Sequence, residues 1–529
     1  MTAVAEGRLG GLRLARQPAG GLNALGRFAP LVLAALNAIA FLVVRPDVND
    51  LWAARARASA VQNGVGLTYW FSWFGGGSTP GNYSVLTPYL SALITTELLA
   101  ALSAVAIPLL CMPLLRGTAH PLAGTAIAAY AAAVNLWSGR VPFLFGAAIA
   151  IGALICVRNR RLTAAVLLGL LSILASPVTG VFLAMGLSGV FISYRDYRRI
   201  AWITIVAIGV GLGAVGLVFG TPGPEPFSGT LKLEAVAGLL LLLLARPPVW
   251  LRTTIWVSLI ATLVLATFPN GMGSNVARIV WFCLPVAVVA LSAFRTWILV
   301  LVAFPLLLTG TSGTIVDLRN AGNPVSSVGY YQPLATELDS ISGLQKYRVE
   351  VVNHGAHAAY DALLNHAALA RGWETQEDNE LNGAIQGKHL DATTYKVWLE
   401  NNAVGYVAMP ALSVSNDAEY HLVETASLPY LVPIWQTTDW QLFRVVRPTP
   451  IVAPPASMVS ASQAQVTVAV PCTCAVTVRV RWSKFLHAAE RSTNLAASVS
   501  DDGAGWTSLR TTAPGVYVLG GSLGGLLGS

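Results

Sequence analysis

The chain has 529 residues, of which 54% are hydrophobic and only 11% charged. An ordinary soluble domain carries about a quarter charged residues, so a fully water-soluble fold is excluded. The formal charge of +8 averages two unlike pieces, since residues 1–310 hold 20 Lys/Arg against 7 Asp/Glu and residues 311–529 hold 13 against 18; the overall basicity is therefore no nucleic-acid signal.

Residues 1–27 carry Arg8, Arg13, Arg16 and Arg27 against one acid, Glu6, and lead into an apolar run from Phe28 to Val44. No small-residue cleavage site follows closely, so the run reads as a first transmembrane helix with a cytoplasmic N-terminus. Further apolar runs lie at 83–115, 121–137, 141–157, 162–175, 177–194, 200–219, 231–244, 253–268, 279–294 and 296–310, giving about eleven spans. The run 83–115 would make roughly 50 Å of helix and contains Pro88, Pro108 and Pro113. Splitting it into two spans would flip every later loop, so one span with an interfacial or kinked lead-in is expected. Threaded alternately, Arg116, Arg158/Arg160/Arg161, Arg195/Arg198/Arg199, Arg246, Arg252 and Arg295 fall on the side of the N-terminus, 14 Lys/Arg against 6 in the other loops. That asymmetry is the positive-inside pattern. An odd number of spans leaves the C-terminal half outside the cell.

Residues 346–450 alternate short strand-like runs (347–352, 404–409, 440–446) with polar helical ones (356–370, 392–401), which predicts an exterior α/β domain over 311–450. Pro448, Pro450, Pro454 and Pro455 form a linker, and 451–529 reads as a β-rich module with a flexible glycine-rich end. Cys111, Cys156 and Cys283 lie in spans as small buried residues, whereas Cys472 and Cys474 stand in the exterior module, where oxidation can join them. His354 and His357 have ligand-like spacing, but without a second His/Cys cluster a solvated face is the expectation. No Walker loop, GxGxxG, HExxH or GxSxG is present, so nucleotide-driven pumping and hydrolase readings lose their usual support.

The first outer loop, residues 45–82, opens with Arg-Pro-Asp-Val-Asn-Asp and contains two acids only, Asp47 and Asp50. Pro46 suits a first helical position, and Leu51, Ala54, Ala58 and Val61 make a stripe that would lay this helix on the membrane. Asp47 and Asp50 then share one face, where a carboxylate can serve as general base toward a hydroxyl or bind a divalent cation; alternatively Asp47 caps the helix. The aromatic run Tyr69–Phe74 suits the headgroup level, and a glycine turn follows at 75–77. Arg140 and Arg278 both stand at outer helix ends, where a guanidinium can hold a phosphate bidentately or simply snorkel to the interface. Glu97 is an acid inside a predicted span and faces a polar cavity or a partner in the bundle.

The acidic pair at the exit of the first span, the long first outer loop, the lead-in Tyr83-Ser-Val-Leu-Thr-Pro-Tyr and the exterior C-terminal domain together resemble the GT-C superfamily of membrane glycosyltransferases. Actinobacterial mannosyl- and arabinofuranosyltransferases belong to it, and the excess of Arg over Lys, 28 to 5, suits such a source. The resemblance covers residues 28–310 in architecture and Asp47 and Asp50 at motif level, although the family's acids are often adjacent. It implies a polyprenyl-phosphate sugar donor and a cell-envelope glycan or lipid acceptor on the outer face. Asp47 or Asp50 would be catalytic, and Arg278, Arg140 and Tyr83 would bind substrate. No nucleotide or redox cofactor follows from it; a divalent metal is compatible. The rival classes are a multi-pass transporter or lipid-linked sugar flippase, which lacks internal repeats here, and a non-catalytic envelope scaffold.

Overall fold

The computed structural model describes residues 24–523 apart from 77–78, 221–222, 353–356, 387–388 and 413–417. Arg8, Arg13, Arg16, Gly77, His354 and most of the terminal glycine-rich run lie outside the described residues. Every apolar run of the sequence is helical. In chain order come α1 (Ala24–Val44), α2 (Asn49–Gln62), α3 (Thr87–Ile94), α4 (Thr96–Leu114), α5 (Pro121–Trp137), α6 (Val141–Arg158) and α7 (Leu162–Ala175). They are followed by α8 (Pro177–Ser193), α9 (Arg198–Phe219), α10 (Gly229–Leu244), α11 (Val249–Thr267), α12 (Leu284–Leu291) and α13 (Thr296–Asn320). Among the described residues seven apolar helical segments are long enough to cross a membrane, including Gly273–Leu291, which leads into α12 through a 3-10 and a π turn. The helices α5, α7 and α8 are apolar but shorter. Leu33, Val43, Leu217, Trp256 and Leu301 stand exposed on these helices, as lipid-facing positions require.

The long run 83–115 is the lead-in helix α3 and the spanning helix α4, broken at Thr95, whose positive φ of 75° interrupts the helix while its hydroxyl accepts from the Leu98 amide. The arginine-rich loops gather at one end of the bundle. Arg158 donates to the carbonyls of Pro113, Leu114 and Arg116, and His120 bonds the Phe294 carbonyl at 2.7 Å. The loop 45–82 and the C-terminal half sit at the other end, where Lys484 bonds the Leu217 carbonyl.

The last bundle helix, α13, continues to Asn320, ten residues past the boundary expected at 310, because Gly310–Thr314 add small residues that pack without ending the helix. Beyond α14 (Val328–Ser340) and β1 (Arg348–Val351) come α15 (Ala358–Leu363), α16 (Thr375–Asn382) and α17 (Ala392–Asn401). Then follow β2 (Val404–Pro410), α18 (Ala418–Thr425), β3 (Leu431–Gln436) and β4 (Trp440–Val445). The sheet order is β1-β2-β4-β3, with β1 and β2 parallel and the other pairs antiparallel. Strand β2 is buried along its whole length, as the apolar run VGYVAMP demands. Residues from Ser457 onward form β5 (Ser457–Ala461), β6 (Gln465–Val470), β7 (Ala475–Arg481), β8 (Leu486–Glu490), β9 (Ala496–Asp501), β10 (Trp506–Arg510) and β11 (Gly515–Gly521). They pair as one antiparallel sheet of order β5-β6-β11-β8-β9-β10-β7, with Cys472 and Cys474 joined by a disulfide.

Two expectations for the first loop are corrected. The aromatic run does not meet lipid: Trp70, Trp73 and Phe74 are fully buried in a core shared with Tyr331, Leu334 and Trp440. The Trp70 indole donates to Gln463 at 3.0 Å, Phe71 pairs its amide with the Gln463 carbonyl, and Leu369 pairs with Ser72, so the loop is the plug on which both C-terminal domains are seated. The apolar stripe of α2 does not face lipid either: Leu51, Ala54 and Ala58 are buried with Trp52, Ala56, Arg57 and Ala60, between α3 and α15 as well as α4 and α6.

Candidate active site

Arg45, in the left-handed region at φ 48°, closes α1, and Val48 rather than Asp47 is the N-cap of α2. Pro46 and Asp47 therefore precede the helix, while Asp50 occupies its first turn, where the helix dipole favours an acid. The two aspartates turn to different partners. Asp47 lies 3.9 Å from Arg55, which is held by Glu97 at 2.6 Å. Glu97 thus sits in the first turn of α4, paired with an arginine of the loop rather than facing a bundle cavity. Burial raises the Asp47 carboxyl above its ordinary range, and Arg55 opposes that rise.

Asp50 keeps 40% of its side chain accessible and stands 3.6 Å from the Arg140 Nε. Arg140 also lies 3.8 Å from Asp317 of α13, so one guanidinium spans two carboxylates from different helices. Gly139 sets this geometry: at φ +74° it presses on the first turn of α2, where a Cβ would stand 2.5 Å from the Leu51 backbone nitrogen. Arg278 packs over the Phe143 ring at 5.4 Å and lies within electrostatic reach of Asp50, Tyr83, Glu225 and Arg140. Glu225 is held there by the Asn270 carbonyl and by Gly273, whose backbone at φ +47° approaches Glu225 closely. Burial raises the Glu225 carboxyl, with Arg278 opposing.

Tyr83 leaves 45% of its surface open, yet its hydroxyl end is hemmed in, and burial first and Asp50 second push that hydroxyl up. The Arg57 guanidinium lies 4.9 Å over the Tyr83 ring. Arg57, 4% exposed, is ion-paired with Glu374 of the C-terminal half, and Asn82 bonds the second Glu374 oxygen at 3.1 Å. His357 accepts its place from Asn49, the residue before Asp50: its amide donates to the Asn49 Oδ1 at 3.1 Å and its Nδ1 lies 3.2 Å from the Asn49 carbonyl. Burial lowers the His357 imidazole below its ordinary range, which keeps the ring neutral, and Asp50 partly counters this.

The structure thus brings together Asp50, Arg140, Arg278 and Tyr83 and leaves Asp47 outside. Arg57, Glu225, Asp317, His357 and Glu374 complete the cluster; of these only His357 was named from sequence, with a solvated face expected, and the structure instead packs it against Asn49. Asp317 was within reach, as an acid on the helical continuation of the last apolar run. The partners of His357 and Glu374 lie some 300 residues away in the first loop, and no local pattern announces those contacts. Among the described residues no group of three His, Cys, Asp or Glu side chains could hold a metal ion. Chemically, the cluster offers an accessible carboxylate beside two guanidinium groups: a proton acceptor next to an anion-binding pair.

No protein-family model matches the chain, and no curated protein matches its sequence. Its structure is similar to that of ArnT from Cupriavidus metallidurans, solved bound to undecaprenyl phosphate, with a TM-score of 0.45, 12% identity and coverage of 80% of this chain and 99% of ArnT. It is also similar to the arabinofuranosyltransferase AftD from Mycobacteria, with a TM-score of 0.44, 13% identity and coverage of 94% of this chain and 57% of AftD. For the arabinosyltransferase EmbB from Mycobacterium smegmatis the TM-score is 0.32, with 13% identity and coverage of 98% and 64%. The chain therefore spans about three-fifths of the two mycobacterial proteins.

Proposed function

We propose that the chain is a membrane glycosyltransferase of the GT-C kind, transferring a sugar from a polyprenyl-phosphate donor to a cell-envelope glycan or lipid at the outer face. The observation that carries this reading is the carboxylate of Asp50, accessible and flanked by Arg140 and Arg278 at the end of the bundle away from the arginine-rich loops. A lipid-linked donor keeps its tail in the bilayer, so its phosphate comes to this level. There Arg278 and Arg140 would hold it and stabilise the negative charge that grows as it leaves.

The acceptor hydroxyl gives its proton to Asp50, the acceptor oxygen bonds to the anomeric carbon, and the bond from that carbon to the phosphate oxygen breaks, with inversion. Polyprenyl phosphate departs carrying the electron pair of that bond. Tyr83 orients the sugar between the two arginines, and His357 fixes the Asn49–Asp50 turn. This division of labour makes Asp50 the base, and Asp47, tied to Arg55 and Glu97, a structural acid.

The test is transfer by purified protein from a panel of radiolabelled polyprenyl-phosphate sugars to an envelope glycan acceptor. Product from at least one donor is expected. Protein that makes no product, yet moves lipid-linked sugar across vesicles, would overturn the reading in favour of a flippase.

A further inference from the structure

At the end of the four-stranded sheet away from Asp50, a hollow of about 350 Å³ opens beside β1, β2 and β4. Ligand sites typically begin near 300 Å³, so one or two sugar rings fit. The wall is made by Tyr347, Gly405, Tyr406, Arg444, Arg447 and Pro448. Three features build it from the fold. Tyr406 and Arg444 are direct cross-strand partners on β2 and β4. Gly405 lets Tyr347 pack against the strand, since a Cβ there would stand 2.6 Å from the Tyr347 Cβ. Arg447 sits in the left-handed region at φ 53°, an uncommon conformation for a residue with a side chain, just before the proline linker.

The chemistry of the wall is one-sided. The two tyrosine rings meet at 71° with centroids 6.5 Å apart, forming a corner. Among the described residues neither tyrosine hydroxyl has a hydrogen-bond partner, and neither Arg444 nor Arg447 is in an ion pair. The groups acting on Tyr406 are Arg444 and Tyr347, with no carboxylate among them. This basic hollow lies in a half of the chain that carries 18 acids against 13 bases, so its charge is not the average of its surroundings.

We propose that the hollow is a binding site for a saccharide bearing an anionic group, a carboxylate or a phosphate. The tyrosine corner covers the apolar face of a sugar ring, the hydroxyls bond its hydroxyls, and the two guanidinium groups take the anion. The choice of a saccharide rests on the transferase reading; the choice of an anion rests on the hollow alone. Tyr347 and Val352, at the two ends of β1, are roughly 17 Å apart at 3.3 Å per residue. His357, on the Val352 side of the sheet in sequence, bonds Asn49.

The test is calorimetric titration of the full chain in neutral-lipid nanodiscs with trigalacturonate, mannose 6-phosphate, maltotriose and inorganic phosphate. One or both anionic sugars should bind, more weakly as salt rises. Maltotriose and inorganic phosphate should bind at least tenfold more weakly. An Arg444→Ala/Arg447→Ala double variant, altered at exposed positions and checked for an unchanged melting temperature, should lose at least tenfold in affinity, and Tyr347→Phe several-fold. Which anionic sugar binds distinguishes carboxylate from phosphate. Equal binding by the double variant, by maltotriose or by inorganic phosphate would overturn the proposal, as would no binding of either anionic sugar. An Asp50→Asn variant should bind these probes like the wild type, so failure here and failure of the transferase reading are separately visible.

Discussion

Gly139→Ala puts the geometry of the site under the most direct mechanical stress. The substitution leaves every charged group in place and adds one methyl where the loop after α5 meets the first turn of α2. The backbone at φ +74° costs a side chain about 1–2 kcal/mol. The new Cβ would stand 2.5 Å from the Leu51 nitrogen and 2.9 Å from its Cα, and backbone atoms cannot swing aside as a side-chain tip can. Relief to an ordinary contact moves the loop away from α2 by about 1 Å, at about 1–3 kcal/mol for an overpacked contact. The total destabilisation is about 2–5 kcal/mol. Arg140, the next residue, moves with the loop, lengthening its 3.6 Å approach to Asp50. A misplacement of about 1 Å in a catalytic constellation costs on the order of 10²-fold in rate. The assay pairs thermal unfolding in detergent with kcat for sugar transfer. The control is Gly117→Ala, at φ +83° in an arginine-side loop with nothing within 4 Å, which carries the backbone cost alone and should keep kcat. A Gly139→Ala protein with wild-type kcat, or a control equally impaired in kcat, would refute the reasoning.

Arg278→Lys keeps the charge but loses the planar fork, so donor affinity should fall by about 1.5–3 kcal/mol, the worth of a charge-assisted hydrogen bond; unchanged donor binding in Arg278→Ala would leave this residue as an anchor. Asp361 on α15 is pushed up to about 6 by burial and by Glu97, with Arg55 opposing. Its fold-stabilising protonated form is lost as pH rises from the ordinary carboxylate range near 4 through 6, so wild-type stability should drop across that window by at most about 3 kcal/mol. Asp361→Asn should flatten the drop and raise the melting temperature at pH 7; an unchanged pH profile would contradict it. A tag at residue 520 should be accessible from outside intact cells and one at residue 5 should not, and the reverse pattern would invert the proposed orientation.

How much of this was legible in the sequence depends on the range of the signal. The helical bundle was, because hydropathy is local and the loop arginines record the threading. The helix 392–401 and the strands near 348, 404 and 440 were legible because their patterns are short and bounded by turn residues. Strand β3 escaped because Pro433 argues against a strand; it is accommodated by a register shift between Pro433 and Trp435. The lipid-belt expectation for Tyr69–Phe74 failed for a different reason: its hydrogen-bond partners, Gln463 and Arg481, lie roughly 400 residues away, beyond any window. The same limit hid Glu374 and made His357 read as part of a solvated face. Asp50, Arg140, Arg278 and Tyr83, which the structure brings together, stood out in the sequence because each stands at a helix end or in the loop between helices, where a charged or phenolic group in an apolar sequence is conspicuous. Spacing alone joined Asp47 to Asp50, and the non-helical backbone at 45–48 separated them.

The central claim is that Asp50, and not Asp47, takes the acceptor proton. The direct measurement is the single-turnover rate of sugar transfer by purified Asp50→Asn and Asp47→Asn, each with donor bound at saturation. The amide keeps the shape of the side chain, and donor binding persists because the phosphate is held by Arg278 and Arg140. Asp50→Asn should transfer about 10²–10⁴-fold more slowly than the wild type, the range for loss of a general base, while Asp47→Asn should stay within a few-fold of it. Wild-type transfer by Asp50→Asn, or a crippled Asp47→Asn beside an active Asp50→Asn, would contradict the account.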